Sequence, residues 1–259
     1  MKKISTIRDS AQQQDHLWDN HVIADEVAAC SERNIVDYFL RYLPKDEPVL
    51  EAGCGLGAWV IYLGRKGYRI AGIDNNRKVI GSLKQWDPAL NVISGDIEHL
   101  PYDNGSLGAY ISLGVVEHFE EGPTKPLREA FRVLKPGGVL ILTVPANNLF
   151  RRIVAHPLRR LFLLYHALRG RRSYFAEYRY SPAEVRDMIV KEGFVVRESG
   201  IDDFISKARS MTLWSEFPFL RGKEPYSLNG IGRSFAWIVN SISRTILAAG
   251  VLVIAQKGK

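Results

Sequence analysis

A glycine-rich run around residue 55 constrains the fold of this chain more than any other feature. Residues 49–57 read VLEAGCGLG, and about twenty residues later Asp74 ends a second apolar run, RIAGI. Glycines allow a sharp turn and leave bare amides against a ligand, and the amides at the start of a helix favour a polar or anionic group. A carboxylate at Asp74 can accept hydrogen bonds from both hydroxyls of a ribose. The pattern predicts a nucleoside site on a doubly wound α/β sheet.

Two classes of cofactor fit this arrangement of a glycine loop and a following carboxylate. Residues 53–58 also satisfy the dinucleotide fingerprint G-x-G-x-x-G/A, which is a weak signal by itself. Glu51 separates the two classes, because its carboxylate repels a pyrophosphate and attracts a ligand that carries an ammonium and a sulfonium. The sequence also contains no convincing Tyr-Lys pair for hydride transfer. A nicotinamide-dependent oxidoreductase is therefore the weaker interpretation.

At these residues the chain resembles the class I S-adenosylmethionine-dependent methyltransferases, whose first motif is E/D-x-G-x-G-x-G. The positions that define the motif are Glu51, Gly53, Gly55 and Gly57. Three further stretches resemble the family's third strand, its fourth strand and loop, and its last helix, turn and fifth strand: residues 91–103, 109–119 and 129–145. The most similar subgroup is the small-molecule methyltransferases called type 11.

The resemblance implies a Rossmann-like, doubly wound sheet of seven strands, mostly parallel with an antiparallel last strand, and helical insertions that form a lid. It implies S-adenosyl-L-methionine as the cofactor and methyl transfer to a small-molecule or lipid-linked acceptor, at oxygen rather than nitrogen or carbon. A non-catalytic protein that keeps the cofactor fold is the alternative. The implied cofactor-binding residues are Glu51, Gly53, Cys54, Gly55, Gly57, Asp74, Asn75, Asp96, Ile97 and Leu113.

The apolar periodicity predicts an N-terminal helical segment, residues 1–43, followed by the methyltransferase domain, residues 44–259. We expect strands near residues 48–52, 69–73, 91–94, 108–113, 139–144, 194–198 and 251–255. We expect helices near residues 58–66, 76–85, 124–134 and 182–192. Trp18 and His16 in the N-terminal segment are candidates to cover the methionine end of the cofactor, or to pack against the first helix.

Two stretches, residues 146–177 and 201–233, exceed the minimal fold. Both follow strands whose carboxyl ends face the ligand crevice of an open α/β sheet, so we expect them to form a lid or an acceptor pocket. The alternative is that they cover a sheet edge or mediate a dimer. Tyr174, Tyr178 and Tyr180 are candidates to line the pocket, or to pack beneath the lid.

The chain carries a net charge of +7, and its basic residues are concentrated in the first insertion. Residues 130–176 contain no Asp or Glu. Within residues 151–172, seven arginines lie among large aliphatic side chains: Arg151, Arg152, Arg159, Arg160, Arg169, Arg171 and Arg172. This basic amphipathic pattern predicts peripheral contact of residues 149–172 with an anionic membrane or substrate. The alternative is a helix whose apolar face packs on the core. Interleaved aliphatics without an RNA-binding module argue against nucleic acid.

His118 is the candidate catalytic residue. In the family that the chain resembles, the loop after the fourth strand lies near the transferred methyl group, and a histidine there is the general base in some members. An imidazole pKa near 6.5 suits that role, and a structural loop residue is the alternative. One subgroup binds a metal through Glu-x-x-Glu-His, but Gly114 replaces the first Glu here, so we expect no metal site.

Two cysteines are too few for a disulfide framework and indicate a reducing compartment. The basic start MKKIS is followed by no apolar core, so we expect no secretory signal. Polar residues interrupt the most apolar window, residues 235–255, which argues against a spanning helix. We therefore expect a cytoplasmic protein.

Overall fold

A computed structural model describes residues 1–7 and 21–258 of the chain. The described residues contain nine strands, two of which, β1 and β7, lie outside the main sheet. In chain order they are β1 (Lys2–Thr6), β2 (Val49–Ala52), β3 (Ile70–Asp74), β4 (Val92–Ser94), β5 (Leu107–Leu113), β6 (Leu134–Pro145), β7 (Tyr174–Arg179), β8 (Phe194–Asp202) and β9 (Gly250–Lys257).

The main sheet has seven strands in the order β4-β3-β2-β5-β6-β9-β8. The strands from β4 to β6 pair in parallel, whereas β9 is antiparallel to both β6 and β8. The structure therefore confirms the predicted doubly wound sheet with an antiparallel last strand. Three strands are longer than predicted by three residues or more: β6 already begins at Leu134, β8 continues to Asp202, and β9 runs from Gly250 to Lys257.

The helices of the described residues cover both faces of this sheet. They are α1 (Ile23–Cys30), α2 (Ile35–Tyr42), α3 (Ala58–Arg65), α4 (Arg77–Trp86), α5 (Thr124–Val133), α6 (His156–Leu168), α7 (Pro182–Lys191), α8 (Met211–Glu216) and α9 (Gly230–Ile242). The predicted start of α7 is confirmed, because Ser181 and Glu184 form a reciprocal capping box.

Alternating side chains of the central strands enter two separate cores. Val49 and Ile111 pack with side chains of α2, α3 and α4, whereas Leu50 and Tyr110 pack with side chains of α5 and α7. Successive strand residues point to opposite faces, and a parallel sheet covered by helices on both faces requires apolar residues on each. This requirement explains the nearly continuous apolar runs of the central strands.

The N-terminal segment differs from its prediction. Residues 2–6 form β1, which pairs antiparallel with β7, and Ile4 is buried beneath this two-stranded sheet. The prediction of a helix at the start was wrong because the partner strand lies far away in sequence, where local periodicity gives no sign of it. The helices α1 and α2 account for the later part of the segment. Trp18 and His16 lie outside the described residues.

The two insertions contain most of the structure outside the sheet. The first begins with a π-helical turn, Arg151–Ala155, continues as α6 and returns through β7. The second connection, from β8 to β9, contains α8, a short 3-10 turn (Pro218–Leu220) and α9. It extends beyond the predicted stretch 201–233. The domain boundary near residue 43 stays a prediction.

Candidate active site

The glycine loop between β2 and α3 is held against the end of β3 by its own backbone. Gly53 and Cys54 both donate their N–H groups to the carbonyl oxygen of Ile73, at 2.8 and 3.0 Å. Gly53 has a φ of +79°, and a Cβ atom there would lie 2.4 Å from Cγ2 of Val115 in the loop after β5. Glycine is thus required at residue 53 by its backbone angle and by the close approach of a second loop.

Asp74 ties this loop to the end of β3. Its Oδ2 accepts a hydrogen bond from the Gly55 N–H at 2.8 Å, and its Oδ1 accepts one from the Asn76 N–H at 2.9 Å. A carboxylate oxygen has two lone pairs, so each can accept a further bond from a ligand hydroxyl. Asp74 is only partly buried, which leaves its carboxylate accessible from the crevice side.

Glu51 lies at the end of β2 and is almost completely buried. Burial raises the pKa of its carboxyl well above the ordinary value; the Val60 N–H lowers this pKa, and the Asp74 carboxylate raises it further. Oε2 of Glu51 has no hydrogen-bond partner among the described residues. A buried carboxylate oxygen without a partner is costly, and a cationic ligand group beside it would stabilise its charged form.

The other two positions of the predicted loop set are Cys54 and Gly57. The Cys54 thiol is buried: a Cβ atom on Gly72 would lie 2.8 Å from its Sγ, and burial raises its pKa well above the ordinary value. Gly57 lies directly before α3 and donates its N–H to the carbonyl of Cys54 at 2.8 Å. Neither residue therefore offers a ligand a side-chain group, and the N–H groups of both are already donated to carbonyl oxygens of the protein.

The remaining predicted cofactor-binding residues lie at or just after the ends of β3, β4 and β5. Asp96 is exposed; one oxygen accepts the backbone N–H two residues on at 2.9 Å, and the other lies 3.2 Å from Nδ1 of His99. Ile97 is buried in the core, Asn75 is exposed and Leu113 is half-buried. Because β4, β3, β2 and β5 are adjacent and parallel, these residues lie along one edge of the sheet with Asp74 and the glycine loop. Their contact with a cofactor stays a prediction.

His118 ends a short 3-10 turn directly after β5. Its Nδ1 lies 2.9 Å from the carbonyl oxygen of Ala176 on β7. A carbonyl only accepts, so Nδ1 carries the proton of the neutral ring and Nε2 keeps its lone pair. Burial of the ring lowers its pKa, but Glu117, the Ala176 carbonyl and Glu177 raise it more, and the net pKa lies above the ordinary value.

Glu117 is a residue whose role sequence reasoning did not identify. Its side chain is buried, and burial raises its pKa to about 7 although the neighbouring His118 lowers it. Oε1 lies 3.9 Å from Nε2 of His118, and Oε2 has no hydrogen-bond partner among the described residues. The following helix, α5, has no side-chain cap, so Glu117 does not cap it. The adjacency of the two residues in sequence was the available signal.

The residues along this edge of the sheet lie in a segment that matches a known protein family. Residues 50–142 match the family model described as "Methyltransferase domain". Residues 50–142 therefore form a methyltransferase domain of the S-adenosylmethionine-dependent class. S-adenosyl-L-methionine is the cofactor of that family, and the match covers β2 to β6, which carry the glycine loop, Asp74 and His118.

Two proteins named as methyltransferases are similar in sequence to part of this chain. The chain is 33% identical over 100 residues to an uncharacterized methyltransferase of Bacillus subtilis, covering 37% of this chain and 42% of that protein. It is 31% identical over 104 residues to a malonyl-[acyl-carrier protein] O-methyltransferase of Serratia marcescens, covering 40% of each. The matched part thus spans about two fifths of these relatives.

A solved structure extends the likeness to nearly the whole chain. A putative methyltransferase of Haloferax volcanii, solved in complex with the Trm112 methyltransferase activator, superposes with a TM-score of 0.62 at 19% identity. The superposition covers 98% of this chain and all of that one. At this identity the likeness establishes the methyltransferase fold.

The first insertion positions the candidate base of the methyltransferase domain. β7 supplies the Ala176 carbonyl to His118, and Tyr178 on the same strand donates its hydroxyl to the Glu120 carbonyl at 3.0 Å. Tyr178 and Tyr180 are buried in the core, whereas Tyr174 is exposed. β7 and the residue that follows it therefore place two of the three candidate tyrosines in the core.

A buried group of ion pairs joins the two insertions, and sequence reasoning missed it. We call it the Glu216 network. The carboxylate of Glu216 on α8 lies 3.1 Å from Arg151 Nε, 2.6 Å from Arg179 Nη2 and 3.3 Å from Arg159 Nη2. Arg179 also contacts Glu177 at 2.7 Å. Burial raises the pKa of Glu216, but the arginines lower it more, so the net pKa is below the ordinary value.

The remaining expectations concern a metal site and a membrane-spanning helix. Residues 1–7 and 21–258 contain no group of three or more His, Cys, Asp or Glu side chains that could hold a metal ion. Among the helices of the same residues, none is long and apolar enough to cross a bilayer.

Proposed function

We propose that this chain transfers a methyl group from S-adenosyl-L-methionine to the oxygen of a small-molecule or lipid-linked acceptor. The observation that carries the proposal is the buried Oε2 of Glu51, which has no hydrogen-bond partner within residues 1–7 and 21–258. It lies just before a glycine loop whose Gly55 N–H donates to Asp74. A pyrophosphate cofactor would bring negative charge toward this carboxylate, whereas the amino group of a methionine moiety would neutralise it. The residues present therefore fit this cofactor.

In this proposal each residue of the edge has a binding role. Glu51 would hold the ammonium group of the cofactor. Asp74 would accept hydrogen bonds from the ribose hydroxyls, and Asp96 would lie beside the adenine amino group. The bound cofactor supplies a methyl group already activated on a sulfonium. The protein then contributes mainly proximity and alignment, which can lower a barrier by about 7–11 kcal/mol.

His118 accepts the proton of the acceptor hydroxyl in the same proposal. The Ala176 carbonyl holds the proton on Nδ1, so Nε2 is the basic nitrogen. Above a pH of about 7, where Glu117 is ionised, its carboxylate at 3.9 Å stabilises the imidazolium that forms. Because the pKa of His118 lies above 6.5, we expect the rate to rise with pH through the range above that value.

Calorimetry with S-adenosylhomocysteine and with NAD in parallel tests the cofactor. We expect binding of the first only, and a loss of about ten- to a hundredfold in Asp74→Ala, since hydrogen bonds to a charged group contribute about 1.5–3 kcal/mol. Asp187→Ala, a change of the same type on the exposed face of α7, should leave the affinity unchanged. Tight binding of NAD without S-adenosylhomocysteine would end the methyltransferase proposal.

His118→Ala tests the base. Transfer of labelled methyl groups to a panel of hydroxylated amphiphiles should fall about 10²- to 10⁴-fold, with unchanged affinity for S-adenosylhomocysteine. The pH dependence should disappear in the variant. An unchanged rate would assign His118 to structure, and cofactor binding without transfer to any amphiphile would favour the non-catalytic alternative.

We propose also that the protein is cytoplasmic and that residues 149–172 contact an acidic membrane surface. Among the residues of α6 only His156 is buried, so the apolar side chains of the helix do not pack on the core. The exposed members are Leu158, Leu161, Phe162, Leu164, Tyr165 and Leu168. Arg151 and Arg159 belong to the Glu216 network, which leaves five arginines exposed beside this apolar surface.

Sedimentation with phosphatidylglycerol-containing vesicles tests this contact. We expect binding at low salt that weakens as salt rises, since screening acts over about 8–10 Å. Arg160→Glu, Arg171→Glu and Arg172→Glu together should reduce it. A matched control reverses three exposed charges elsewhere, at Arg65, Arg186 and Lys191. No association of the wild type at low salt would make α6 a lid over a soluble acceptor.

A further inference from the structure

Helix α9 exposes a row of large apolar side chains. Ile231, Phe235, Ile238 and Ile242 follow one another at intervals of four, three and four residues, which places them on one face of the helix. They are 77%, 41%, 54% and 76% exposed. The buried face of α9 consists of smaller residues, Gly232, Ala236 and Asn240. A helix packed only on its own domain has the opposite arrangement.

This row belongs to a larger apolar surface. Trp237 on α9 and Phe219 before it are exposed as well. We call these six side chains the α9 surface: Phe219, Ile231, Phe235, Trp237, Ile238 and Ile242. Contiguous apolar patches of this kind mark sites of interaction with a protein or a membrane.

Aromatic contacts join the α9 surface to the arginine-rich insertion. The ring of Phe235 lies 5.9 Å from that of Phe150, which lies 5.7 Å from Phe217, and Phe217 lies 5.7 Å from Phe219. Phe150 directly precedes the π-helical turn in which Ile153 is exposed. The two apolar surfaces are therefore neighbours on the molecule.

A basic cleft lies at the start of α9. Its volume is about 680 Å³, and its charged lining consists of Arg209, Arg221, Lys223 and Arg233 with a single carboxylate, Glu224. Arg221 is fixed in place, because its guanidinium stacks on Trp214 at 4.2 Å and its Nε donates to the Trp214 carbonyl at 2.8 Å.

The positive charge of the cleft is only partly balanced by carboxylates. Arg209 pairs with Glu32, but Lys223 and Arg233 have no ion-pair partner among the described residues. Beyond Glu224 the sequence contains no Asp or Glu up to residue 259. The cleft and the apolar row of α9 thus form a surface that attracts an anionic, amphiphilic partner.

We propose that the basic cleft and the α9 surface form a second docking element for an anionic lipid bilayer. The phosphate of a lipid headgroup lies in the cleft, and the apolar side chains of α9 enter the boundary of the acyl chains. A second copy of the chain is a poor occupant, because it would bring like charges of two basic clefts together. The inference rests on the proposed membrane contact of residues 149–172, but it concerns different residues and can fail separately.

Vesicle sedimentation with two variants of the full chain tests the proposal, using phosphatidylcholine vesicles with and without phosphatidylglycerol. Lys223→Glu with Arg233→Glu should reduce partitioning to the anionic vesicles about 25-fold, since each basic residue near such a surface contributes about fivefold. Ile231→Ser with Ile238→Ser should reduce it about a hundredfold or more, since the burial of each isoleucine side chain contributes about tenfold or more. All these side chains are exposed, so folding and affinity for S-adenosylhomocysteine should be unchanged.

The outcomes separate this element from the first. If the α9 variants bind vesicles like the wild type while the Arg160, Arg171 and Arg172 variant does not, the second element is refuted and the first stands. A wild type that is dimeric in sedimentation equilibrium, with a monomeric Ile231→Ser/Ile238→Ser variant, would identify the surface as a self-association interface. Binding of inorganic phosphate that Lys223→Glu abolishes, with vesicle binding intact, would identify a soluble-anion site instead.

A spectroscopic measurement locates the contact. The difference in fluorescence between the wild type and Trp237→Phe reports Trp237 alone. Anionic vesicles should shift this difference spectrum to the blue, because the indole leaves water. An unshifted spectrum in a sample that sediments with vesicles would contradict the proposal that α9 enters the bilayer.

Discussion

The two sides of the candidate active site are held together in different ways. On the cofactor side, backbone N–H groups of the glycine loop donate to the Ile73 carbonyl and to the Asp74 carboxylate. These acceptors lie about twenty residues later in the sequence. On the side of the two insertions, which we call the lid side after the lid predicted there, the Glu216 network joins Arg151, Arg179 and Glu216 through buried charged side chains. The cofactor side therefore depends on backbone conformation, and the lid side depends on the balance of buried charges.

The largest expected effect is on cofactor binding in Gly53→Ala. The new Cβ atom would collide with Val115, and a φ of +79° costs an L-residue about 1–2 kcal/mol. We expect no measurable affinity for S-adenosylhomocysteine by calorimetry, and partial recovery in Gly53→Ala with Val115→Ala, which relieves only the collision.

Gly170→Ala in the lid is the matched control. Gly170 has a φ of +74°, but a Cβ atom there would contact nothing within 4 Å. It should lower the melting temperature slightly and leave cofactor affinity unchanged. Equal effects of the two substitutions would show that the approach of the two loops contributes nothing to the site.

The next effect is on stability in Glu216→Gln. The variant leaves three arginines around one remaining carboxylate, Glu177, and the loss of one partner of a buried ion pair costs about 3–5 kcal/mol. Urea unfolding should show this decrease. Glu121→Gln, which breaks the exposed pair with Lys125, is the control and should leave the midpoint unchanged. A Glu216→Gln variant as stable as this control would mean that the network is not what joins the insertions.

The smallest effect concerns the pH dependence of stability in Glu117→Gln. The folded-state pKa of Glu117 is about 7 and the ordinary value is 4.5, so between these values the folded state holds a proton that the unfolded state has released. The wild type therefore loses up to about 3 kcal/mol of stability as the pH rises from 4.5 to 7. Glu117→Gln should remove this loss.

Glu216 should behave in the opposite way. Its pKa is lowered, so its contribution is present above pH 4.5 and is lost as the pH falls below that value. The free energies of unfolding of Glu117→Gln and Glu216→Gln, measured from pH 3 to 8, compare the two sides of the site directly. Parallel curves for Glu117→Gln and the wild type would contradict the assignment of a buried, protonated Glu117 beside His118.

Much of the fold could be predicted because its signals are local. Alternation and apolar runs gave all seven strands of the main sheet. The glycines with Asp74 predict a nucleoside site at its edge, and this site stays a prediction. β1 was not predicted, because its partner β7 is more than 160 residues away and neither strand is strongly periodic. The role of Glu117 was missed because burial, which raises its pKa, depends on neighbours from several elements.

The sequence by itself determined the cofactor side of this protein. A positive φ, a helix start and a strand that ends in a carboxylate are properties of a few neighbouring residues, and they appear directly in the order of the amino acids. Only the tertiary structure decided the lid side. The pairing of Glu216 with distant arginines and the outward direction of the apolar side chains of α6 and α9 depend on which surfaces meet when the chain folds. Such contacts between distant residues leave no local pattern, because each side chain is compatible with many partners until packing selects one.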